Sequence, residues 1–360
     1  MRLSSIAIGL STLCVALGLV GSGAGAASLQ EILNYKGADR QKVLEEGAKK
    51  EGQLTIYSAL TINQALRPLV EGFQQKYPYV KTEFWRGDSR KIAQKVLAEL
   101  RANAPVAGVL EGSGLAEIMS AAKAVEKFST PAIENVPQKY RDSSNEWVPS
   151  RISYFGMAYN TKLIPPGTQP KTYEDLLDPK WKGKMAWRAG SESGSLLFIT
   201  ATRLAMGDAK AEDYFKKLSA QKIVNFDGSA RTLVNRTIEG EYPISISVFS
   251  HHPVISALTG APVDVEQMEP VPSLNGTMMV PKGVKQPHAA MLFVDYYLSK
   301  DGQEVLKKAG YFPVHKDVKP SGELAKLVPG DTGKEEIFVD PGTLFKNRKS
   351  SEAINRKYFN

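Results

Sequence analysis

Short apolar runs with strand character alternate with segments of helical periodicity in the first half of the chain. The run QLTIYSAL at 53–60 is followed by QALRPLVEGFQQKYP, in which Leu66, Leu69, Val70 and Phe73 recur at helical spacing. The strand-like runs YVKTEFWRG and VAGVLEGSG each precede a further helical segment. Repeated strand–helix units predict an α/β fold with a parallel, doubly wound sheet. Ligands bind such sheets beyond the carboxyl ends of the strands, which directs attention to the loops 58–61, 85–89 and 111–114.

The second half of the chain repeats this organisation. Strand-like and helical runs continue after WVPSRISYFGMAYNTKLI, through SLLFITATRLAMG, AEDYFKKLSAQKIVNF and YPISISVFS. The chain has 360 residues, of which 42% are hydrophobic and 23% charged. This is the composition of a soluble globular protein, and the length suffices for two domains of ordinary size.

The N-terminal segment at 1–27 has the features of a cleavable secretory signal. It carries Arg2, an apolar run at 6–20 and small residues at 24–26. The run is short and interrupted by glycine, which favours export and cleavage over a membrane anchor. The only cysteine, Cys14, lies inside this segment. We therefore expect a mature chain, starting near Ala27 or Ser28, without disulfides or thiol chemistry.

The charge of the chain favours anionic ligands mildly. The formal net charge of +8 is spread along the sequence, and it becomes +7 once Arg2 is removed with the leader. No dense basic stripe with interleaved aromatic residues is present in the sequence, so nucleic acid is not expected as a partner.

The motifs of the mature chain resemble those of type II periplasmic solute-binding proteins of ABC importers, in particular the branch that includes ferric-ion-binding proteins. The resemblance is carried by LTIYSAL, GMAYNTKLI, DLLDPKWKGKMAW, IEGEYPISI and, most specifically, AAMLFVDYYLSKDGQEVLKKAGYFPV. It implies a bilobed fold of two doubly wound sheets joined by a hinge. The implied organisation is a first lobe at 28–152, a second lobe at 153–268, a return to the first lobe at 269–330 and a C-terminal segment at 331–360 that packs on the lobes.

The same resemblance implies the partners and the location. We expect a periplasmic monomer that binds a small anionic solute in its cleft and presents its closed form to an importer permease in the membrane. The alternative is a receptor whose closed form is recognised by a membrane sensor instead of a permease. Neither a cofactor nor a bound metal is expected.

The stretch MAWRAGSESGS at 185–195 is the strongest candidate for an anion site. Arg188 ends an apolar run and can fork onto a carboxylate or phosphonate, although it can also pair with Glu192 at the surface. A helical pattern begins near Ser195, and a helix start presents unpaired N–H groups to an anion. Ser193, Gly194 and Ser195 match the triplet that holds an anion in the family. Trp187 can stack on a flat ligand or belong to the core.

Other candidates lie at the ends of the predicted strands and at a second helix start. The strand-end residues that can contact a solute are Tyr57, Ser58, Thr61, Trp85, Arg86, Glu111 and Ser113. Glu111 would select an amine or a metal on the ligand, or else form a cap or a salt bridge between lobes. Ser229 and Arg231 begin the run SARTLV and can form a second anion-binding helix start, although a simple N-cap explains the serine as well.

The segment FSHHP places two adjacent histidines at the end of a strand-like run. Neighbours on an extended strand point to opposite faces, so only one of them is expected to enter a given site. No His-Glu-x-x-His spacing supports zinc. We interpret Ser250 or His251 as a polar ligand contact, with His252 packed or capping. A neutral imidazole can donate to a carboxylate, and protonation below neutral pH would tighten the contact.

Two further functions remain open at this point. The tyrosine pair of ferric family members falls on Ser250 and His251, so a ferric site would need unusual ligands and a synergistic anion. The other class is an exported enzyme. The mature sequence lacks the motifs that would support it, namely a Gly-x-Ser-x-Gly elbow, a phosphate-cradling loop and a cysteine nucleophile.

Overall fold

The computed structural model describes residues 27–360. The proposed secretory signal, Cys14 included, lies outside the described residues except for Ala27. No helix in the described part of the chain is long and apolar enough to cross a membrane.

The described residues form α-helices and β-strands that alternate along the chain. The helices are α1 (Leu29–Asn34), α2 (Arg40–Glu51), α3 (Arg67–Lys76), α4 (Ser89–Arg101), α5 (Ala116–Ala121), α6 (Ser195–Met206), α7 (Asp208–Ser219), α8 (Ala230–Glu239), α9 (His251–Ala257), α10 (Pro287–Leu298), α11 (Lys300–Lys308), α12 (Pro329–Thr332) and α13 (Pro341–Phe359). The strands are β1 (Gln53–Ser58), β2 (Lys81–Arg86), β3 (Val109–Ser113), β4 (Val148–Asn160), β5 (Met185–Arg188), β6 (Val224–Phe226), β7 (Ile244–Phe249), β8 (Val263–Glu266), β9 (Val271–Met279) and β10 (Glu336–Phe338). A π-helical turn (Ile62–Leu66) leads into α3, and short 3-10 helices lie in the connections.

The strands confirm the predicted α/β class. The strand order is β2-β1-β3-β9-β4-β7-β5-β6, with β10 paired to β9 and β8 paired to β4. Strands β1, β2 and β3 are mutually parallel, as the strand–helix units predicted. Strands β5, β6 and β7 form a second parallel set.

One long strand joins the two sets. Residues 148–154 of β4 pair with β9, whereas residues 155–160 pair with β7 and β8. The two predicted sheets are therefore continuous through β4. We call the set β1, β2, β3, β9 and β10 the first lobe and the set β5, β6, β7 and β8 the second lobe.

Each lobe has its own apolar core. In the first lobe, the ring of Phe73 on α3 lies 5.1 Å from that of Phe293 on α10. In the second lobe, the fully buried Trp187 lies 4.7 Å from Phe359 at the end of α13. The amphipathic spacing that predicted α3 therefore reflects a real buried face, since Leu69, Val70 and Phe73 are all buried.

A buried amide fixes α11 against β4. Gln303 is fully buried, and its Nε2 donates to the carbonyls of Ser150 and Tyr297, each at 3.1 Å. The backbone N–H of Val314 donates to Gln303 Oε1 at 2.7 Å. All the polar atoms of this side chain are thus satisfied, as burial requires.

We expect Gln303→Leu to lower the free energy of unfolding by about 2–4 kcal/mol, because three backbone groups lose their partner in a dry environment. Urea denaturation of the purified protein measures this. The control is Gln138→Leu, at an exposed position, which we expect to change stability by less than about 0.5 kcal/mol. Equal effects of the two substitutions would contradict the structural role of Gln303.

Candidate functional site

A cavity of about 70 Å³ lies between the lobes at the carboxyl ends of β1, β2, β3, β5 and β7. The position is the one expected for ligands of open α/β sheets. The walls are formed by Ala59, Thr61, Arg86, Asp88, Ser89, Arg90, Ser113, Arg151, Arg188, Ser191, Glu192, Ser193, Ser229, Ala230, Arg231, Phe249, His251, His252 and Tyr311.

Half of the predicted site residues meet in this cavity. Those that line it are Thr61, Arg86, Ser113, Arg188, Ser193, Ser229, Arg231 and His251. Those that do not line it are Tyr57, Ser58, Trp85, Glu111, Trp187, Gly194, Ser195 and Ser250. The cavity also contains residues that the sequence did not single out as ligand contacts, foremost Arg90, Arg151 and Tyr311.

Positive charge dominates the cavity wall. Five arginines face it, against the two carboxylates Asp88 and Glu192. The half-buried Arg86 and Arg90 make no ion pair or side-chain hydrogen bond with other residues of the described chain. Like charges held together in a partly dry site are unfavourable until an anion enters.

Arg188 is held rigidly, with one side of its guanidinium free. Its Nε donates to the Gly228 carbonyl at 3.0 Å, and its Nη1 donates to Ser193 Oγ at 3.1 Å. Its Nη2 donates to no residue of the described chain. Burial, followed by the nearby Arg90, lowers the pKa of Arg188 to about 10, so it stays charged at neutral pH. The alternative pairing with Glu192 is not formed, because Glu192 lies 3.5 Å from Arg348 instead.

Three helices of eight or more residues begin at the cavity. Helix α6 starts at Ser195, as predicted, α8 starts after Ser229, and α4 starts after Asp88. Ser229 caps α8 by accepting from the Thr232 N–H at 3.0 Å. The backbone N–H groups at these starts and the helix dipoles favour an anion between them.

The small residues before α6 have distinct roles. Ser193 alone of the predicted triplet lines the cavity. The Gly194 N–H donates to the Ser191 carbonyl at 3.0 Å, and a Cβ at Gly194 would lie 2.7 Å from the Arg188 carbonyl oxygen. Ser195 Oγ accepts from the Gly190 N–H at 2.9 Å. Gly194 and Ser195 thus shape the loop that holds Arg188.

Glu111 lies behind the cavity wall and forms a buried ion pair with Arg151. The carboxylate is 1% exposed; its Oε1 accepts from Arg151 Nη1 and, at 3.1 Å, from Ser150 Oγ. Its Oε2 accepts from Ser58 Oγ at 2.6 Å. Both oxygens are therefore occupied by the protein. Glu111 forms a salt bridge, but within the first-lobe part of the fold and not between the lobes, because Arg151 lies in the part of β4 that pairs with β9. Arg151 faces the cavity, where its guanidinium lies 5.3 Å from the ring of Tyr311.

The histidine pair was expected on an extended strand, and that expectation is wrong. Ser250 precedes α9, so His251 and His252 occupy the first turn of a helix and both line the cavity. Neighbours in a helix are about 100° apart, which lets both rings reach one wall. His251 is 2% exposed, and within the described residues neither of its ring nitrogens has a partner. Burial, with His252 and Arg151 nearby, lowers the pKa of His251 well below its usual value.

The remaining candidates are structural in position. Trp187 is core, and its Nε1 donates to Asn225 Oδ1 at 2.9 Å. The Tyr57 hydroxyl donates to Glu99 at 2.7 Å, with Trp85 packed beside its ring at 5.4 Å. Ser250 Oγ accepts from Gln267 Nε2 at 3.2 Å.

The cavity residues that the sequence analysis missed are only weakly marked in the sequence. Arg151 is a charged residue inside a long apolar run, and Arg90 follows directly after a loop that was singled out. Tyr311 comes from the distant motif AGYFPV; its hydroxyl lies 3.0 Å from Thr61 Oγ1, a contact that only the fold can show.

The chain is similar to known proteins over most of its length. A family profile described as bacterial extracellular solute-binding protein matches residues 111–329, more than half of the chain. An uncharacterized protein of Haemophilus influenzae is 28% identical over 321 residues, covering 86% of this chain and 84% of the relative. A putative 2-aminoethylphosphonate-binding periplasmic protein of Salmonella typhi is 24% identical over 240 residues, covering 64% and 68% respectively.

A solved structure is similar in both sequence and fold. The periplasmic binding protein AfuA from Actinobacillus pleuropneumoniae, with exogenous fructose-6-phosphate bound, is 27% identical. It covers 86% of this chain and 99% of its own, with a TM-score of 0.74.

We expect Glu111→Gln to lower the free energy of unfolding by about 3–5 kcal/mol, because it leaves the Arg151 charge buried and uncompensated. Guanidinium denaturation measures the loss. Glu83→Gln is the control, since Glu83 forms an exposed ion pair with Lys81 at 2.8 Å, and its loss should leave the denaturation midpoint almost unchanged. A loss at Glu111 no larger than this would show that the pair does not stabilise the fold.

We expect His251 to contribute a loss of stability to the ligand-free protein as the pH falls below about 6.5. The folded-state pKa of His251 is lowered, so the unfolded chain takes up the proton first; one such histidine contributes up to about 1.4 kcal/mol per pH unit. Thermal unfolding of the wild type and of His251→Gln from pH 7 to pH 5 measures this, and the stability of the wild type should fall relative to that of the variant. Identical slopes would mean that His251 protonates freely in the folded protein.

Proposed function

This chain belongs to the bacterial extracellular solute-binding protein family, and from that premise we propose that it captures a small organic anion of the carboxylate or phosphonate type. The solute is held between the lobes and delivered to an ABC importer.

The observation that carries the proposal is the convergence of five arginines and three helix starts on one interlobe cavity. The guanidinium of Arg188 is anchored through Nε and Nη1, so its Nη2 is left to donate to an oxygen of the solute. Ser193 and Ser229 line the cavity beside it. Oxyanions with several acceptors match such a set of donors, because charge-assisted hydrogen bonds are the strong ones.

The ligands named for two relatives support an acid of the phosphorus type. One relative is described as putatively binding 2-aminoethylphosphonate, and the AfuA structure holds fructose-6-phosphate. Both molecules join a phosphorus oxyanion to a small polar body. A phosphonate or phosphate ester therefore stands beside carboxylates in the proposed solute class.

The histidine wall favours a solute whose body forms hydrogen bonds. His251 has one donor and one acceptor nitrogen when neutral, and both lack a partner among residues 27–360. Leaving buried polar groups unpaired is costly, so a hydroxyl or amine on the solute would be favoured there over a purely apolar body. Phe249 and Tyr311 supply apolar contact on the same side.

Ferric iron fits this cavity less well. Hard ferric ions favour phenolate and carboxylate oxygens, yet the cavity offers a single tyrosine, Tyr311, which already contacts Thr61. Within the described residues, no group of three or more His, Cys, Asp or Glu side chains is arranged to hold a metal. An excess of arginines would also repel a cation.

A binding role without turnover is the remaining part of the proposal. Ser250 accepts a hydrogen bond from Gln267, and in the described chain it is not bonded to a histidine. It therefore lacks the base that an activated serine needs. We further propose that the protein works in the periplasm as a monomer after export, and that its closed form addresses a membrane permease.

Native mass spectrometry of the purified protein, followed by a thermal-shift screen, tests this function. The screen contains 2-aminoethylphosphonate, a hexose phosphate, a dicarboxylate, inorganic phosphate and ferric citrate. We expect the melting temperature to rise with an organic anion. A visible tyrosinate–iron absorption, or stabilisation by cations alone, would contradict the proposal.

We expect Arg188→Ala to weaken binding of the best anion by about 30-fold to 5000-fold, because a buried charge-assisted contact is worth about 2–5 kcal/mol. Calorimetric titration measures the affinity, and circular dichroism verifies the fold. Arg188→Lys should recover part of the loss. The control is Arg101→Ala at the exposed far end of α4, which should bind normally; unchanged affinity in Arg188→Ala would remove Arg188 from the site.

A further inference from the structure

A buried acid without a partner lies outside the cavity, at a contact between the lobes. Glu117 on α5 is 3% exposed, and within residues 27–360 neither of its carboxyl oxygens has a hydrogen-bond partner. Helix α5 packs here against α13. A carboxylate in such a place loses its hydration without compensation, so the neutral acid is favoured.

The C-terminal half of α13 is attached to the second lobe, whereas its N-terminus directly follows β10 of the first lobe. Ser351 Oγ lies 2.9 Å from Thr200 Oγ1 on α6, and the ring of Phe359 packs 4.7 Å from Trp187 on β5. Lys357 pairs with Glu212 on α7 at 2.6 Å. The two lobes meet beside α5 where Gly114, which precedes α5 in the first lobe, approaches Glu192, which follows β5 of the second lobe. The burial of Glu117 thus depends on how closely the lobes approach.

The charged groups that act on Glu117 come from the loop before α6 and from α13. Glu192 precedes α6, while Asp340 caps α13 and Arg348 lies within α13. Arg348 Nη2 lies 3.5 Å from Glu192 Oε1. Burial raises the pKa of Glu117 to about 8; the backbone N–H of Glu117 itself and the charge of Arg348 oppose this shift, and the carboxylates of Glu192 and Asp340 reinforce it.

The other elements packed on α5 place no further charged group against Glu117. Strand β9 has no charged residue. On α4, Arg90 faces the cavity, Lys95 pairs with Glu99 at 3.0 Å, and Lys91 and Arg101 are exposed. Glu117 also lies in the wall of an open cleft beside α5, although its carboxyl oxygens are buried; the other charged residues in that wall are Lys139, Arg141, Asp142, Glu146, Asp340 and Lys346.

The acid is linked to the solute cavity through one loop. Glu192 lies between Arg188 and Ser193 and itself lines the cavity. The first lobe meets this loop closely, since a Cβ on Gly114 would lie 2.8 Å from Glu192 Cβ. The loop that positions the anion donors therefore also covers Glu117.

We infer that Glu117 is a proton-binding switch for lobe closure: the lobes close with Glu117 as the neutral acid, and closure of a protein that carries the carboxylate takes up one proton from solvent. The proton binds a carboxylate oxygen of Glu117, and no other bond forms or breaks. The part of this inference that concerns solute affinity rests on the proposed function.

The direction of the pH dependence follows from linkage. In an open protein, solvated Glu117 titrates with its ordinary pKa of 4.5, whereas in the closed protein the pKa is raised to about 8. Closure is fully favoured below the lower value, because both states are then protonated. The advantage is lost progressively as the pH rises through about 8, since the open state releases its proton first.

Small-angle scattering of the ligand-free protein from pH 5 to pH 9 tests the switch without a solute. We expect the radius of gyration of the wild type to increase with pH as the lobes open, and that of Glu117→Gln to stay constant. Glu146→Gln is the matched control, because this half-buried glutamate lines the neighbouring cleft; it should behave as the wild type does. Equal curves for wild type and Glu117→Gln would overturn the inference.

Calorimetric titration with 2-aminoethylphosphonate or a hexose phosphate, in buffers of different ionisation enthalpy, tests the coupling to binding. At pH values at which scattering shows the ligand-free wild type to be open, and below about pH 8, the ratio of the wild-type Kd to that of Glu117→Gln should rise by on the order of tenfold per pH unit. The wild type should also take up nearly one more proton than the variant. A constant ratio would overturn the coupling. If no anion binds either protein, the proposed function fails, and the scattering comparison still decides the switch.

Discussion

The ion pair between Glu111 and Arg151 is the interaction on which the rest of the site depends. One carboxylate accepts from Ser58 at the end of β1, from Ser150 and from Arg151 on β4. It therefore ties two parallel strand ends of the first lobe to the strand that continues into the second. A lone arginine in a fully buried strand would be too costly. Paired, it can hold a positive charge at the cavity wall in the region where the lobes join.

The arginines of the cavity wall repel one another, and a bound anion would relieve this repulsion. The arginines oppose one another's charge, and together with burial they keep the pKa of His251 low. The donors are already placed: Arg188 is fixed by the Gly228 carbonyl and Ser193, and Ser229 is committed to its cap. A solute therefore meets a preorganised set of groups and orders few side chains on entry. The neutral histidines discriminate by hydrogen bonding instead of charge.

The sequence predicted the class of fold and the identity of the strand ends well, because periodicity reports local burial. The loops after β1, β2 and β3 all reach the cavity, and α6 begins at the predicted residue. It predicted side-chain direction poorly. Trp187 and Arg188 are adjacent on β5, yet one enters the core and the other the cavity. The prediction for the histidine pair is wrong because it continued the strand past Phe249, where a helix begins. Tyr311 depends on long-range packing, which local patterns do not encode.

The segment between Arg188 and Ser195 takes part in two charged environments, the solute cavity and the surroundings of Glu117. In the sequence it is only a run of small and charged residues. On one side it presents Arg188 and Ser193 to the solute; on the other, Glu192 pairs with Arg348 and helps to cover Glu117. Glycine at 194 is required because the Arg188 carbonyl lies too close for a side chain. A loop packed this tightly cannot shift at one face without shifting at the other. Solute capture and the protonation of a distant acid can therefore be coupled through ordinary packing, with no additional mobile element.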